Sequence, residues 1–199
     1  MDGMFVIISG PSGSGKGTVV KKLDPLKGYA LSVSVTTRGP REGELEGRDY
    51  FFRSEEEFAR MRRDNELLEH ALYVRHYYGT PRGYVEEKIA EGRVVVLEIE
   101  VMGALQVKEM FPEAVLIFLL PPTLSELTRR LQKRNTEDSV TIDDRLRRAL
   151  EEIEQAHKYQ YLVVNDDVEK AVEKIDAIVA VERMKPWRRE DTLSHFINN

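Results

Sequence analysis

Short apolar runs alternate with charged, helix-like segments along most of this chain of 199 residues. Four of the runs are continuous, apolar and only a few residues long, which is typical of strands in a sheet that is covered on both faces. These strands are predicted at residues 5–9, 93–101, 114–120 and 161–166. The segments between and after them predict helices at about 15–23, at 85–92, over most of 123–159 and at 168–183.

Three segments have a different pattern. Residues 29–38 alternate polar and apolar side chains, which predicts a strand. Residues 54–71 open with a serine and three glutamates, as a helix N-terminus does, so we predict that a helix begins there. Residues 185–199 show no clear period and predict no element.

Strands that are separated by helices predict an α/β fold in which a parallel sheet is flanked by helices on both faces. Ligands of such sheets bind beyond the carboxyl ends of the strands. We therefore expect the chemistry after Ser9, near residues 35–38 and near residues 98–101.

The composition excludes several classes of function. A net charge of −5 argues against general binding to nucleic acid or to an anionic membrane. The chain has no cysteine, and its 4 histidines lack metal-ligand spacing, so thiolate and zinc sites are not expected. No apolar run approaches the ~20 residues of a membrane span. We expect a cytoplasmic protein, and we find no sign of an obligate protein partner.

A glycine-rich segment, SGPSGSGKGT, follows the first predicted strand directly. Glycines at 10, 13 and 15 allow a tight loop with inward-pointing amide groups, and Lys16 then begins a helix whose positive end favours a polyphosphate. A plain turn with a surface lysine is the alternative, but the position between strand and helix favours a phosphate site. The predicted ATP-binding residues of this loop are Gly10, Pro11, Ser12, Gly13, Ser14, Gly15, Lys16, Gly17 and Thr18.

Gly17 departs from the standard form of this loop, which has a serine or threonine hydroxyl there to bind Mg²⁺. Thr18 is a weak candidate for the missing ligand. Water is the alternative, because Mg²⁺ commonly keeps several waters. The loop is expected to bind phosphate in either case.

A second group of basic residues lies in SVSVTTRGPREGELEGRDYFF, residues 32–52. Arg38 and Arg41 flank Pro40, and Tyr50 follows an acidic loop. Guanidinium groups suit phosphate oxygens, and a tyrosine hydroxyl can add a donor. Taken singly, each of these residues would fit a solvated charged loop equally well.

Together these residues resemble the guanylate kinase family. The spacing from Thr37 to Phe52 fits the signature of that family without a gap, and four further stretches look like family landmarks in family order. These stretches are HYYGTPRGYV (76–85), LEIEVMGA (97–104), RLQKRNTED (130–138) and YLVVNDD (161–167). The resemblance covers residues from about 5 to 183.

The resemblance implies a kinase that transfers the γ-phosphoryl group of ATP to GMP with Mg²⁺, giving ADP and GDP, in purine nucleotide metabolism and GMP recycling. It implies a guanylate kinase-like domain over 1–186 and a C-terminal tail at 187–199. Within the domain, we predict a core at 1–33, 84–123 and 153–186, a small GMP-binding lobe at 34–83 and a helical lid at 124–152.

The resemblance also implies roles for individual residues. The predicted GMP-binding residues are Ser34, Arg38, Arg41, Tyr50, Glu69, Tyr78, Thr80, Glu98, Glu100 and Arg145. Two lid arginines, Arg130 and Arg134, join the ATP-binding set. The predicted catalytic residues are Lys16, Arg38, Arg134 and Arg145. Each lid arginine taken singly would also fit a solvated helix with i,i+4 ion pairs.

Two residues depart from the family pattern. Glu100 and Met102 stand where family members usually carry Asp and Gln. Glu98 and Glu100 are two residues apart in a predicted strand, so we expect both side chains on one side of it. Because of these two departures, we expect the geometry of the acceptor site to differ from that of other family members.

Two other functions remain as alternatives. A guanylate-kinase-like module without catalysis would serve as a protein-interaction domain, and such modules typically lose the phosphate loop, which this chain keeps. A nucleoside monophosphate kinase for another base is the third hypothesis. The retained loop and arginines favour the ATP:GMP phosphotransferase.

Overall fold

The computed structural model describes residues 3–23, 27–73, 75–133 and 142–198. Its strands, in chain order, are β1 (Met4–Ser9), β2 (Tyr29–Leu31), β3 (Val35–Thr36), β4 (Phe51–Phe52), β5 (Leu67–Tyr73), β6 (His76–Pro81), β7 (Val94–Glu98), β8 (Val115–Leu120) and β9 (Tyr161–Val164). Its helices are α1 (Lys16–Val20), α2 (Glu55–Arg63), α3 (Arg82–Ala90), α4 (Val101–Met110), α5 (Leu124–Lys133), α6 (Ile142–Glu154), α7 (Val168–Glu182) and α8 (Glu190–Ile197).

A parallel sheet with the strand order β2-β7-β1-β8-β9 forms the core. Met4 of β1 pairs with Val94 of β7, and Val6 pairs with Val115 of β8. The apolar side chains of β1 alternate between two buried clusters, which α1 and α7 cover on one face and α3 and α4 on the other. The predicted α/β fold with a parallel core is confirmed. The predicted core strands are present, each a little shorter or shifted at its ends.

A second sheet has the order β4-β3-β6-β5, with β5 and β6 forming an antiparallel hairpin-like pair. Helix α2 packs on this sheet through Phe58, which lies with Val35 and Leu67 in a separate small core. All four strands fall within residues 34–83, the range predicted as a lobe. The sequence pattern did not predict β4, β5 or β6 as strands.

The prediction of one strand over 29–38 is wrong. Ser32 makes the last backbone bond to the core sheet, from its amide to the Val96 carbonyl. The chain then crosses to the second sheet, where Val35 and Thr36 pair with β4 and β6. The alternating pattern identified extended chain correctly, but alternation does not say which sheet a strand joins.

The helix predicted to start in 54–71 begins as expected and ends early, at Arg63. Ser54 and Glu57 form a capping box at its start. At its end Asn65 has a φ of 55°, and the Glu66 amide bonds the Met61 carbonyl, which closes the last turn as a left-handed residue does after a helix. The chain then enters β5, so residues 67–71 are strand and not helix.

The helix predicted at about 15–23 is also shorter, since α1 ends at Val20. Helix α4, which no sequence pattern predicted, connects β7 to β8 and packs on one face of the core sheet. In the predicted lid range, α5 and α6 pack through Leu127, Leu131 and Ala149.

Residues 185–199, which show no clear sequence pattern, contain a 3₁₀ turn at Pro186–Arg188 and α8. The domain boundaries stay a prediction.

None of the helices in the described part of the chain has the length and apolar character needed to cross a bilayer.

Candidate active site

The glycine-rich loop lies between β1 and α1, at the carboxyl end of the central strand of the sheet. Gly10 and Gly15 have φ values of 146° and 90°. A side chain at Gly10 would clash with the Leu119 carbonyl, and one at Gly15 would clash with the amide of Asn165. Glycine is therefore required at both positions, and the loop that results has the form of an anion cradle at a helix start.

Two side chains hold this loop from outside. The Asn165 amide donates to the Ser14 carbonyl at 2.8 Å. The Arg130 guanidinium of α5 donates to the carbonyls of Ser14 and Asn165, each at 3.3 Å, and its Nε donates to Glu126 at 2.7 Å. Arg130, predicted to bind ATP, thus lies against the phosphate loop. Asn165 lies in the family landmark 161–167, and no sequence pattern indicated that its side chain anchors the loop.

Lys16 begins α1 and folds back over the loop, where its Nζ donates to the carbonyls of Gly10 at 2.6 Å and Pro11 at 3.2 Å. Its ammonium group therefore sits at the mouth of the cradle, where it can attract phosphate charge. Thr18, the weak candidate for a metal ligand, is exposed on α1.

A carboxylate of α6, Glu152, also reaches the loop. It accepts hydrogen bonds from the Ser12 amide and the Tyr73 hydroxyl and is attracted to Lys16. Burial raises the pKa of Glu152 above its ordinary value, although Lys16 opposes that shift. Nothing in the sequence pattern singled out Glu152, because its contacts join three elements that are far apart in the chain.

The second sheet and its loops bring together the residues predicted to hold an acceptor phosphate. Arg38 is 9% exposed and donates to both oxygens of Glu44, at 2.9 and 3.0 Å. Its guanidinium also lies 5.4 Å from the centre of the Tyr50 ring and within hydrogen-bonding reach of Tyr78. The rings of Tyr50 and Tyr78 are 6.0 Å apart. Arg41 is exposed on the same loop, and its backbone amide bonds Glu44.

Burial, together with the nearby charge of Glu98, raises the pKa of Tyr50 to about 12. The hydroxyl of Tyr50 therefore keeps its proton at neutral pH. It can therefore donate a hydrogen bond to an anion, which is the role predicted for it.

Glu69 and Thr80 form a buried polar pair on the neighbouring strands β5 and β6. The Thr80 hydroxyl donates to Glu69 at 2.7 Å, and Glu69 is 5% exposed. Burial raises the pKa of Glu69 to about 7, and the charge of Glu100 adds to that shift. Gly103 of α4 approaches closely: a Cβ there would lie 2.6 Å from a Glu69 oxygen. Ser34, predicted to act with this pair, precedes β3 and accepts the Phe51 amide through its carbonyl.

The prediction that Glu98 and Glu100 share one side of a strand is wrong. Glu98 ends β7, whereas Glu100 is the N-cap of α4, where it accepts the amides of Met102 at 2.9 Å and Gly103 at 2.5 Å. A carboxylate is stabilised by the free amides of a helix start, so the chain turns into α4 directly after the strand. The Met102 side chain is exposed.

Glu98 lies where the two halves of the site meet. Its carboxylate is 3.4 Å from the position of a Cβ at Gly17, and its charge also acts on Tyr50 of the second sheet. Of the remaining predicted residues, Arg145 is half-buried on α6. Arg134 lies outside the described residues.

A parallel α/β sheet whose central strand runs into this glycine loop and its lysine defines the class of P-loop nucleotide-binding proteins. Comparison with known proteins narrows the class. A family model described as guanylate kinase matches residues 3–182.

Several curated relatives match over nearly the whole chain. The guanylate kinase of Caldanaerobacter subterraneus subsp. tengcongensis is 51% identical, over 95% of this chain and 92% of the relative. That of Bacillus subtilis is 51% identical, over 94% of this chain and 92% of the relative. The crystal structure of guanylate kinase from Anaplasma phagocytophilum, 37% identical, matches 94% of this chain and 89% of its own with a TM-score of 0.81. The chain belongs to the guanylate kinase family, which are nucleoside monophosphate kinases.

Proposed function

We propose that this protein transfers the γ-phosphoryl group of ATP to the phosphate of GMP, giving ADP and GDP. The observation that carries the proposal is the position of Glu98, whose carboxylate lies beside Gly17 at the start of α1 and whose charge acts on Tyr50 of the second sheet. A triphosphate in the loop and a monophosphate at Arg38 would therefore meet at one edge of the core sheet. Membership of the guanylate kinase family supports the same reaction.

On the donor side, the amides of residues 10–18 would bind the triphosphate, and Lys16 would supply positive charge at the transferred group. Lys16 is already at the mouth of the loop through its bonds to Gly10 and Pro11. Arg130 would stabilise the loop and stay close to the phosphates. Arg134 and Arg145 are proposed to add charge from the lid when both nucleotides are bound.

On the acceptor side, the phosphate of GMP would be bound by Arg38, Arg41, Tyr50 and Tyr78. The guanine would be read by Glu69, Ser34 and Thr80. Guanine presents two donors on one edge, N1–H and the 2-amino group, and an ionised Glu69 can accept both. Glu100 lies beside Glu69 and acts on its charge, so we place it at the rim of the base pocket.

Mg²⁺ is the proposed cofactor, and the residues present fit it. This ion prefers oxygen ligands and is usually held by one or two carboxylates with substrate phosphates and water. Glu98 offers such a carboxylate next to Gly17, with Thr18 as a further candidate. When bound, Mg²⁺ would neutralise charge on the phosphates of ATP.

The chemical step needs no protein base. An oxygen of the GMP phosphate is already ionised at neutral pH, and it forms the new bond to the γ-phosphorus as the bond to the β-bridging oxygen breaks. Lys16 and the arginines would hold the two anions in line and stabilise the charge on the transferred group. Closure of the second sheet and of α5 and α6 over the nucleotides would keep water from accepting that group.

Product analysis tests the proposal. We expect ADP and GDP to form in equal amounts from ATP and GMP, with no ADP formed when GMP is omitted. A protein that binds both nucleotides without turnover would be an interaction module instead. Equal turnover of AMP, CMP or UMP would identify a kinase for another base.

A further inference from the structure

One carboxylate organises the acceptor loop. Glu44 accepts hydrogen bonds from Nη2 of Arg38 with both oxygens, at 2.9 and 3.0 Å. One of those oxygens also accepts the backbone amide of Arg41 at 2.8 Å. The two side chains of the ion pair are 10% and 19% exposed, so the pair is largely shielded from water. Both arginines that are assigned to the acceptor phosphate are therefore tied to Glu44.

Of the two other nitrogens of the Arg38 guanidinium, one donates a hydrogen bond within the loop and one does not. Its Nη1 donates to the Gly39 carbonyl at 2.7 Å. The Tyr78 hydroxyl also lies within hydrogen-bonding reach of the guanidinium, but the buried Nε has no hydrogen-bond partner of good geometry within the described residues. A buried donor without a partner is unfavourable by about 1–3 kcal/mol, which a ligand acceptor would relieve.

We propose that Glu44 is a positioning residue for the acceptor phosphate. It engages the Nη2 end of the guanidinium and thereby fixes the plane of the group, so that Nε is presented to a phosphate oxygen. The same carboxylate fixes the turn that carries Arg41. This inference rests on the proposed function, since it assigns the ligand of Arg38 to the phosphate of GMP.

The opposite role for Glu44 would be competition with that phosphate. A carboxylate on an arginine resembles a bound phosphate oxygen, and a competitor would have to leave before GMP binds. The contacts favour positioning. Glu44 leaves Nε unoccupied, and its bond to the Arg41 amide ties it to its own loop independently of Arg38.

The two roles predict changes of opposite sign in Glu44→Ala. With positioning, the KM for GMP rises by roughly 10- to 100-fold, the range expected when charge-assisted hydrogen bonds no longer orient the arginine. The KM for ATP stays unchanged, because Glu44 has no contact with the phosphate loop among those described. Glu44→Gln should lie in between, since its single amide oxygen can replace only one carboxylate oxygen. Glu42→Ala removes an exposed carboxylate of the same loop and serves as the matched control.

Guanosine, which lacks the phosphate, separates positioning from a structural role. Its inhibition constant against GMP should be the same in wild type, Glu44→Ala and Glu44→Gln. If Glu44→Ala does not fold, Glu44→Gln alone carries the test through its higher KM for GMP and unchanged guanosine inhibition.

Three results would overturn the inference. A lower KM for GMP in Glu44→Ala would identify Glu44 as a competitor. An equal loss of affinity for GMP and guanosine would make it a structural residue of the second sheet. Failure of the wild type to form ADP from ATP and GMP would instead overturn the proposed function, and this inference with it.

Discussion

In the phosphate loop, the groups that face a ligand belong mainly to the backbone, whereas in the second sheet they belong to side chains. Gly10 and Gly15 set the loop by their φ values and by close approach to Leu119 and Asn165. Arg38, by contrast, depends on Glu44 for its position. The proposed donor site is thus built into the core of the fold, and the proposed acceptor site is assembled from loops and a small sheet with its own core.

This difference should separate the effects of substitutions. Backbone donors bind any triphosphate that fits the loop, so they carry little information about the base. We expect the side chains of the second sheet to select the acceptor base, because a buried carboxylate that lacks its donors is strongly unfavourable. Changes in the loop should lower turnover or ATP affinity, and changes in the second sheet should alter GMP binding and base choice.

The largest effect is expected from Lys16→Ala. We predict that kcat falls on the order of 10³-fold, because a charge at the transferred group matters most where charge develops. The affinity for GMP should be nearly unchanged. Steady-state kinetics with direct GMP titration checks both statements. Lys22→Ala is the matched control, since Lys22 pairs with Glu169 on the surface near the same helix. A Lys16→Ala enzyme that keeps most of its kcat would contradict the assignment of the loop.

Next comes base choice through Glu69. We predict that Glu69→Gln lowers kcat/KM for GMP on the order of 10²-fold and narrows the preference over AMP, because an amide cannot accept from both guanine donors. Parallel assays with GMP and AMP give the ratio. Glu66→Gln, an exposed carboxylate that precedes the same strand, is the control. The guanine assignment would fail, and the kinase assignment would stand, if the ratio did not change.

The pH dependence of the same residue gives a further prediction. With a pKa of about 7 in the folded protein, Glu69 ionises as pH rises through neutrality, so GMP should bind more tightly at about pH 8 than at about pH 6.

The raised pKa of Glu69 also makes the stability of the fold depend on pH. Between its ordinary pKa of 4.5 and about 7, the unfolded chain loses a proton that the folded chain keeps, so this group lowers the free energy of unfolding as pH rises. Glu69→Gln should therefore unfold less readily than wild type at about pH 8, by up to about 3 kcal/mol, in urea titrations. No difference between the two proteins across this range would contradict the burial of an ionisable group.

A smaller effect is expected from Gly15→Ala. The left-handed φ and the clash with Asn165 should lower the free energy of unfolding by about 1–3 kcal/mol and weaken ATP binding. Gly83→Ala is the control, because a Cβ there meets no atom of the described residues within 4 Å and Gly83 lies in α3, outside the loop. Denaturant unfolding and ATP titration of both variants provide the measurement. Equal behaviour of the two variants would show that the loop does not depend on its backbone shape.

The sequence predicted the donor half of the site better than the acceptor half, for a physical reason. An apolar run followed by spaced glycines and Lys16 is a local signal, and the structure has β1, the loop and α1 in that order. The surroundings of Glu69 could not be predicted in this way. The serine-capped pattern predicts where α2 begins, but it does not predict that the helix ends before Asn65. A helix at that position would leave Glu69 without a neighbouring strand. The hydrogen bond between Thr80 and Glu69 is seen only in the structure.

Contacts between distant segments were the least predictable. The acceptor residues followed from the family resemblance and not from their spacing, and their assignment to GMP stays a prediction. Glu44 lies within the signature that runs from Thr37 to Phe52, but its bond to Arg38 depends on the fold of the loop. Glu152 gave no signal, since it meets Ser12 and Tyr73 only after α6 packs beside the loop.

Calorimetric titration of Arg38→Met with each nucleotide shows whether ATP binds to the backbone of the phosphate loop and GMP to side chains of the second sheet. We expect the affinity for GMP to fall by roughly 10- to 100-fold, as for the loss of charge-assisted bonds to a phosphate, and the affinity for ATP to match wild type. Arg53→Met, which removes a guanidinium beside Phe51 in the same sheet, should leave both affinities unchanged. Loss of ATP binding with GMP binding retained would place Arg38 on the donor side and contradict the account.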